Sequence, residues 1–216
     1  RSVMLPVVPM FHANAWGLPY ACAAVGAKMV FSASNEAQVL WKLIREEGVT
    51  HSAGVPTVWL SMFADMDANG GDYGKLGVVV IGGSACPRSM IERLMKNGIR
   101  VAHAWGMTET SPIGTTGALP ANWDDLNFEQ KVDVICKQGR PPFGVELRVI
   151  DEDGNVAPRD GKTSGTLEIR GPWIIQRYYR ADEDAVEDDG WFDTGDVAVL
   201  HPDGTMQITD RAKDVI

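Results

Sequence analysis

The first half of the chain alternates short apolar, β-branched runs with segments whose apolar residues recur at helical spacing. The runs that predict strands cover residues 3–8, 28–31, 49–53, 78–81 and 99–104. Strands that alternate with helices favour a parallel sheet covered by helices, so this half is predicted to be an α/β layer structure.

Two segments between these strands carry helix signals. The apolar stripes are Val39, Leu40, Leu43 and Ile44 in the first segment and Met90, Ile91, Leu94 and Met95 in the second. Asn35 is the predicted N-cap of the first helix, and Gly48 follows its end. Pro87 suits the first turn of the second helix, and Gly98 ends it.

The pattern changes after Trp105. Residues 106–144 are rich in Gly, Pro, Thr and Asn, with one predicted helix over residues 127–137. From residue 145 onward the alternation of apolar and polar residues predicts hairpins, with turns at residues 153–154 and 202–204. A second, antiparallel β unit is therefore expected after the α/β layers.

Composition narrows the function classes. The 29 acidic and 20 basic residues give a net charge of −9, which excludes a broad cationic surface for nucleic acid or an anionic membrane. The longest apolar runs are too short to span a bilayer. Three widely spaced cysteines without a C-x-x-C pattern indicate reduced thiols in a cytoplasmic protein. Because the chain starts and stops within structural patterns, we expect it to be a segment of a longer protein.

Two loops follow neighbouring predicted strands, "GGSACP" at residues 82–87 and "GMTETS" at residues 106–111. Ligands bind at the carboxyl ends of strands in open α/β sheets, because loops and helix N-termini converge there. Gly82 and Gly83 would let the backbone approach a flat ligand, and Trp105 offers a stacking face. This pair of loops predicts a nucleotide site.

Several polar side chains fit the same ligand. Thr108 can donate a hydroxyl to phosphate, and the carboxylate of Glu109 suits Mg²⁺. Asp196 follows a compact Thr-Gly turn that can present it to ribose hydroxyls, and Arg211 can fork onto ribose or phosphate oxygens. His12 lies at a predicted strand end.

Each feature also has a purely structural interpretation: a solvated loop, a tight turn, a surface ion pair or a packed histidine. "GGSACP" does not match G-x-G-x-x-G, which disfavours a dinucleotide-binding dehydrogenase.

Six stretches, taken in order, resemble core motifs of the acyl-adenylate-forming enzymes, which include acyl-CoA synthetases, luciferases and the adenylation domains of peptide synthetases. They are "PMFH", "IGGSACP", "WGMTETSP", "GTLEIRGPWIIQRYY", "GWFDTGD" and "DRAKDVI". The resemblance is greatest to medium- and long-chain fatty acid–CoA ligases, on the Trp of "WGMTETSP", on "GRPPFGVELRVID" and on "DRAKDVI".

The resemblance implies a two-step reaction in which ATP converts a carboxylic acid, expected to be a fatty acid, to an acyl-adenylate before the acyl group passes to CoA. It also implies that the chain is a fragment of the large N-terminal domain. Residues 1–144 would belong to its α/β part, residues 145–209 to an antiparallel, β-barrel-like subdomain, and residues 210–216 to a hinge before a C-terminal domain.

Residue roles follow from the same resemblance. Thr108 would contact phosphate, Glu109 would hold Mg²⁺, and Asp196 and Arg211 would hold the ribose. The residues expected around adenine are Ser84, Ala85, Cys86, Ala104, Trp105, Gly106 and Met107. The residues expected on the acid and CoA side are His12, Gly82 and Gly83, and Lys213 matches the hinge.

The chain departs from the family pattern in several places. Trp105 stands where the family usually has Tyr, Arg177 where a Gly is common, and Asp210 where a Gly precedes the hinge arginine. The upstream phosphate loop and the C-terminal domain with its catalytic lysine are absent from these residues, so we expect the segment alone to be inactive.

Alternative functions are a ligase for an aromatic or other small acid, and a non-catalytic nucleotide-binding module. The sequence leaves open whether the protein forms a homodimer.

Overall fold

The computed structural model describes residues 1–211, in which the chain divides into two units, Arg1–His103 and the part from Ala104 onward. Residues 104–144 thus belong to the second unit. The boundary after residue 144, which the family resemblance implies between the α/β part and the β subdomain, remains a prediction. No helix within residues 1–211 is long and apolar enough to cross a bilayer.

A parallel sheet organises the first unit, as the alternation of strands and helices predicts. Its strands are β1 (Val3–Pro6), β2 (Lys28–Met29), β3 (His51–Gly54), β4 (Val78–Ile81) and β5 (Arg100–Trp105), in the order β2-β1-β3-β4-β5. Leu5, Val79 and Ile81 are fully buried. Since β4 pairs in parallel with β5 through Ile81 and His103, the chain leaves both strands at the same edge of the sheet.

Four helices connect these strands: α1 (Leu18–Val25), α2 (Ala37–Glu46), α3 (Pro56–Asn69) and α4 (Arg88–Lys96), of which α2 and α4 are strongly amphipathic. The predicted stripes are buried at Leu40 and Ile44 in α2 and at Met90, Ile91 and Leu94 in α4. The buried indole of Trp41 donates to Met62 O at 2.8 Å, which joins α2 to α3.

The predicted N-cap of α2 is wrong. Glu36, not Asn35, occupies that position, and its side chain makes no capping hydrogen bond. The hydroxyl of Ser34 accepts the Glu36 N–H at 3.1 Å, a hydrogen bond within the loop before the helix. Ser, Thr, Asp and Asn are the usual N-caps, so a helix that begins without a side-chain cap does not follow that sequence signal.

In the second unit, the end of β5 pairs antiparallel with β6 (Thr115–Thr116). Helix α5 (Phe128–Cys136) starts at a reciprocal capping box between Asn127 and Gln130, close to its predicted start. The antiparallel sheet has the order β10-β9-β8-β7, from β7 (Glu146–Ile150), β8 (Gly165–Arg170), β9 (Phe192–Leu200) and β10 (Met206–Arg211). This confirms the predicted change to antiparallel structure.

The core of the second unit lies against one face of that antiparallel sheet. Its buried members are Val145, Leu147, Val149, Ala157, Leu167, Ile169, Phe192, Ala198, Leu200 and Met206. They alternate along β7 and β8 with half-buried or exposed residues, as expected for a sheet with one covered face.

Candidate active site

The loop after β5 folds around one buried hydroxyl. Thr110 is fully buried, donates to Pro112 O at 2.6 Å and accepts the Met107 N–H at 3.0 Å. A Cβ on Gly106 would collide with the same Pro112 carbonyl, so only glycine allows this close approach. The polar residues of the loop "GMTETS" therefore have different roles: Thr110 is structural, whereas Thr108 is exposed and Glu109 is half-buried.

Trp105 connects this loop to the antiparallel sheet. Its Nε1 donates to Asp196 Oδ2 at 2.8 Å, a hydrogen bond between residues 91 positions apart. The indole also packs on the apolar core of the second unit. A Cβ on Gly114 would overlap the indole ring, so the missing side chain of Gly114 is what makes room for it.

Asp196 lies in an irregular part of β9 rather than in the compact turn that the sequence predicted. The β8–β9 register shifts between Thr166 and Glu168, and Gly195 has a φ of +70°. Thr194 fastens this bulge by donating its hydroxyl to Leu167 O at 2.7 Å. Bulges re-aim side chains, which is how Asp196 leaves the regular alternation of the strand.

Arg211 pairs in backbone register with Asp196 across β9 and β10. The two residues predicted to hold a ribose are thus opposite each other in the ladder. Lys213, the predicted hinge residue, lies outside the described residues.

The segment that follows β8 holds Glu109. Tyr178 Oη donates to Glu109 Oε1 at 2.9 Å, and Ile175 N donates to Glu109 O at 2.8 Å. Burial, together with the hydrogen bond to Glu109 and its negative charge, raises the pKa of the Tyr178 phenol. Tyr178 therefore remains a neutral donor toward this carboxylate at neutral pH.

In the first unit, the loop after β4 carries the glycines predicted to approach a ligand. Gly82 is buried, and Gly83 has a φ of +79°, where a Cβ would lie 3.1 Å from Val55 Cγ1. Cys86 N donates to Nε2 of His103, a ring that is 1% exposed. This bond requires the proton of a neutral His103 on Nδ1. Ser84 and Ala85 are exposed between these anchors.

His12 is exposed at the start of a left-handed turn. Residues Ala13–Trp16 all have positive φ, from 46° to 56°, although none is glycine. Such backbone costs about 1–2 kcal/mol per residue and persists only where the surrounding structure imposes it.

The second unit therefore brings together Trp105 with Asp196, and it joins Glu109 to Tyr178. Ala104, Gly106 and Met107 belong to the same unit, whereas His12 and residues 82–86 belong to the first unit. Their predicted binding roles remain predictions.

Sequence reasoning missed Thr110, Gly114 and Tyr178 as individual functional or supporting residues. Thr110 and Tyr178 lie within the motifs quoted above, but nothing local distinguishes a buried threonine from an exposed one. Gly114 gave no signal, because its need for space arises from Trp105.

The oxygens at this site suit a hard cation. Mg²⁺ in nucleotide sites is commonly bound by one or two carboxylates together with substrate phosphates, and Glu109 beside the Thr108 hydroxyl offers that kind of donor. Among residues 1–209, whose side chains the structure describes, no group of three or more His, Cys, Asp or Glu side chains could hold a metal ion.

Comparison with known proteins identifies the fold and the family. The model of the family described as "AMP-binding enzyme" matches residues 1–179. A medium-chain-fatty-acid–CoA ligase of Ectopseudomonas oleovorans is 48% identical over the whole chain, and a 3-methylmercaptopropionyl-CoA ligase of Ruegeria pomeroyi is 47% identical.

Solved structures agree with this assignment. A long-chain-fatty-acid–CoA ligase from Archaeoglobus fulgidus superposes with a TM-score of 0.80 at 27% identity, over 97% of this chain and 44% of that one. The chain spans 40% of the length of both curated relatives.

Proposed function

Since the chain belongs to the AMP-binding enzyme family, we propose that it is part of a ligase that joins a carboxylic acid to CoA at the expense of ATP. A carboxylate oxygen attacks the α-phosphorus of ATP, the bond to the β-phosphate oxygen breaks, and pyrophosphate leaves. The CoA sulfur then attacks the acyl carbon of the mixed anhydride, AMP leaves, and the thiol proton is released to solvent.

The observation that supports this proposal best is the hydrogen bond between Trp105 and Asp196. It joins the residue expected to stack on adenine to the residue expected to bind the ribose. Because these groups are adjacent in a nucleoside, their side chains must be adjacent in the protein. A carboxylate held by an indole N–H is oriented to accept hydrogen bonds from paired ribose hydroxyls.

Thr108 and Glu109 would act at the phosphates. The exposed hydroxyl of Thr108 can donate to a phosphate oxygen, and Glu109 would hold Mg²⁺ of the metal–ATP complex. The bound cation would neutralise charge on the phosphates. In the first unit, residues 84–86 would contact adenine, and Gly82 and Gly83 would contact the acid. His12 would line the passage toward CoA.

The acid we propose is a fatty acid of medium or long chain, because the medium-chain ligase is 48% identical and a long-chain ligase of Thermus thermophilus is 44% identical. A short thioether acid is the second candidate, since the 3-methylmercaptopropionyl-CoA ligase is 47% identical. We propose that the reaction takes place in the cytoplasm, because the three widely spaced cysteines indicate reduced thiols. AMP release measured with CoA across a panel of acids would rank the two candidates.

Glu109→Ala tests the proposed chemistry in the full-length protein that contains this chain. We expect it to lower acid-dependent exchange of labelled pyrophosphate into ATP by roughly 10²-fold or more, as for loss of a preorganised electrostatic group. Glu152→Ala, which removes an exposed carboxylate from the turn after β7, is the matched control. Exchange that is equal in the two variants would contradict the assignment of Glu109.

A further inference from the structure

The loop that carries Glu109 is fastened by one segment, residues 173–178, which follows β8. Trp173 Nε1 donates to Ile113 O at 3.2 Å, at the far end of that loop. The Ile175 N–H holds the Glu109 carbonyl, and the Tyr178 hydroxyl holds its carboxylate. Backbone and side chain of Glu109 are thus fixed by residues about 65–70 positions away.

The kind of donor that faces Glu109 matters. A phenol orients one carboxylate oxygen and leaves the negative charge in place, whereas an arginine would neutralise it. Arg177, the preceding residue, pairs with Asp184 at 2.7 Å instead and lowers the pKa of that carboxyl. Of these two neighbours, the neutral one contacts Glu109.

We propose that Tyr178 is a positioning residue, which holds the Glu109 carboxylate in the orientation that receives the divalent cation of the metal–nucleotide complex. This inference rests on the proposed function, because it gives Glu109 the metal. Tyr178 acts through Glu109 and donates only to Oε1, so it would set the direction of the carboxylate rather than bind substrate.

Tyr179 provides a matched control. It is 87% exposed, and its ring lies under the guanidinium of Arg180, 5.1 Å from the ring centroid. Tyr178 is itself 49% exposed, so removing its hydroxyl leaves the ring and the core of the unit in place. The Tyr178→Phe and Tyr179→Phe variants each lose the same single oxygen atom.

The test measures metal binding directly, in the full-length protein. Free Mn²⁺ is followed by electron paramagnetic resonance in the presence of a non-hydrolysable ATP analogue. We expect Tyr178→Phe to weaken Mn²⁺ binding about five- to tenfold, the equivalent of one hydrogen bond. Tyr179→Phe should stay within about twofold of the unaltered protein, and binding of the analogue without metal should be unchanged in both variants.

Two results would overturn the inference. One is equal Mn²⁺ affinity in the two Phe variants. The other is a Tyr178→Phe variant whose affinity for the analogue without metal falls as much as its affinity for Mn²⁺. Turnover gives a second readout. If Tyr178→Phe only weakens metal binding, its kcat should return to that of the unaltered protein at saturating Mg²⁺. Glu109→Gln separates this inference from the proposed function. If that variant loses Mn²⁺ binding while Tyr178→Phe does not, the proposed function stands and the inference falls. If Glu109→Gln binds Mn²⁺ normally, the metal role of Glu109 falls.

Discussion

The loop after β1 in the first unit has four consecutive non-glycine residues with positive φ, Ala13–Trp16, whereas the loop after β5 in the second unit has one, Ser111. The loop after β5 is instead held by side chains far away in sequence. Tyr178 holds Glu109 in that loop, and Asp196 accepts a hydrogen bond from Trp105, the last residue of β5. The first kind of loop should respond to changes of backbone freedom, and the second to the loss of single side-chain atoms.

Asp196→Ala should have the largest effect of the single substitutions that test this comparison. It removes both the partner of Trp105 and the proposed ribose ligand. We expect ATP binding in the full-length protein to weaken by about 1.5 to 3 kcal/mol, the cost of losing hydrogen bonds to a charged group. Asp188→Ala removes an exposed carboxylate and serves as the control. Isothermal titration with ATP measures both, and a normal affinity in Asp196→Ala would remove this residue from the site.

Trp105→Phe sharpens that prediction, because it keeps an aromatic face and deletes only the donor to Asp196. If the indole orients the carboxylate, the double variant should lose less affinity than the sum of the two single variants. Strict additivity would show that the hydrogen bond does not contribute to ATP binding.

Gly114→Ala should have the next largest effect. The added Cβ would occupy the space of the Trp105 ring, and overpacking of this kind costs about 1–3 kcal/mol of stability. Displacement of the indole should also weaken ATP binding. Gly77→Ala is the matched control in the first unit. A Cβ on Gly77 would lie 3.9 Å from its nearest neighbour, Thr50 O, and the φ of Gly77 is not positive. Chemical denaturation compares the two, and equal stability would contradict the packing described for Trp105.

The sequence predicted features that depend on local period or local turn chemistry. The stripes of α2 and α4, the helix over residues 127–137 and the turn at residues 202–204 all follow from residues within a few positions of each other. The site was predicted from motifs, which located Trp105, Glu109 and Asp196. The contact between Tyr178 and Glu109 and the fit of Gly114 to Trp105 depend on how distant segments pack, and such contacts leave no period in the sequence.

The left-handed turn after β1 shows a second limit. Positive φ is usually indicated by Gly or Asn, but Ala13, Ala15 and Trp16 adopt it without such a residue at their own positions. The sequence predicted a strand through residue 8, while β1 ends at Pro6.

Ala13→Gly should have the smallest effect, and it tests the backbone of the loop after β1. Glycine removes an αL cost of about 1–2 kcal/mol and adds about 0.5–1 kcal/mol of lost chain entropy on folding. The midpoints of these ranges differ by about 0.75 kcal/mol, so we expect the variant to be more stable by about that amount in chemical denaturation.

Ala23→Gly supplies the opposite sign, because Ala23 is exposed within α1, where glycine costs about 1 kcal/mol. If both variants lose stability equally, the backbone of the turn after β1 is not strained. The loop after β1 would then depend on side-chain contacts, as the loop after β5 does. Opposite signs would establish that the sign of φ decides how the same substitution acts at Ala13 and at Ala23.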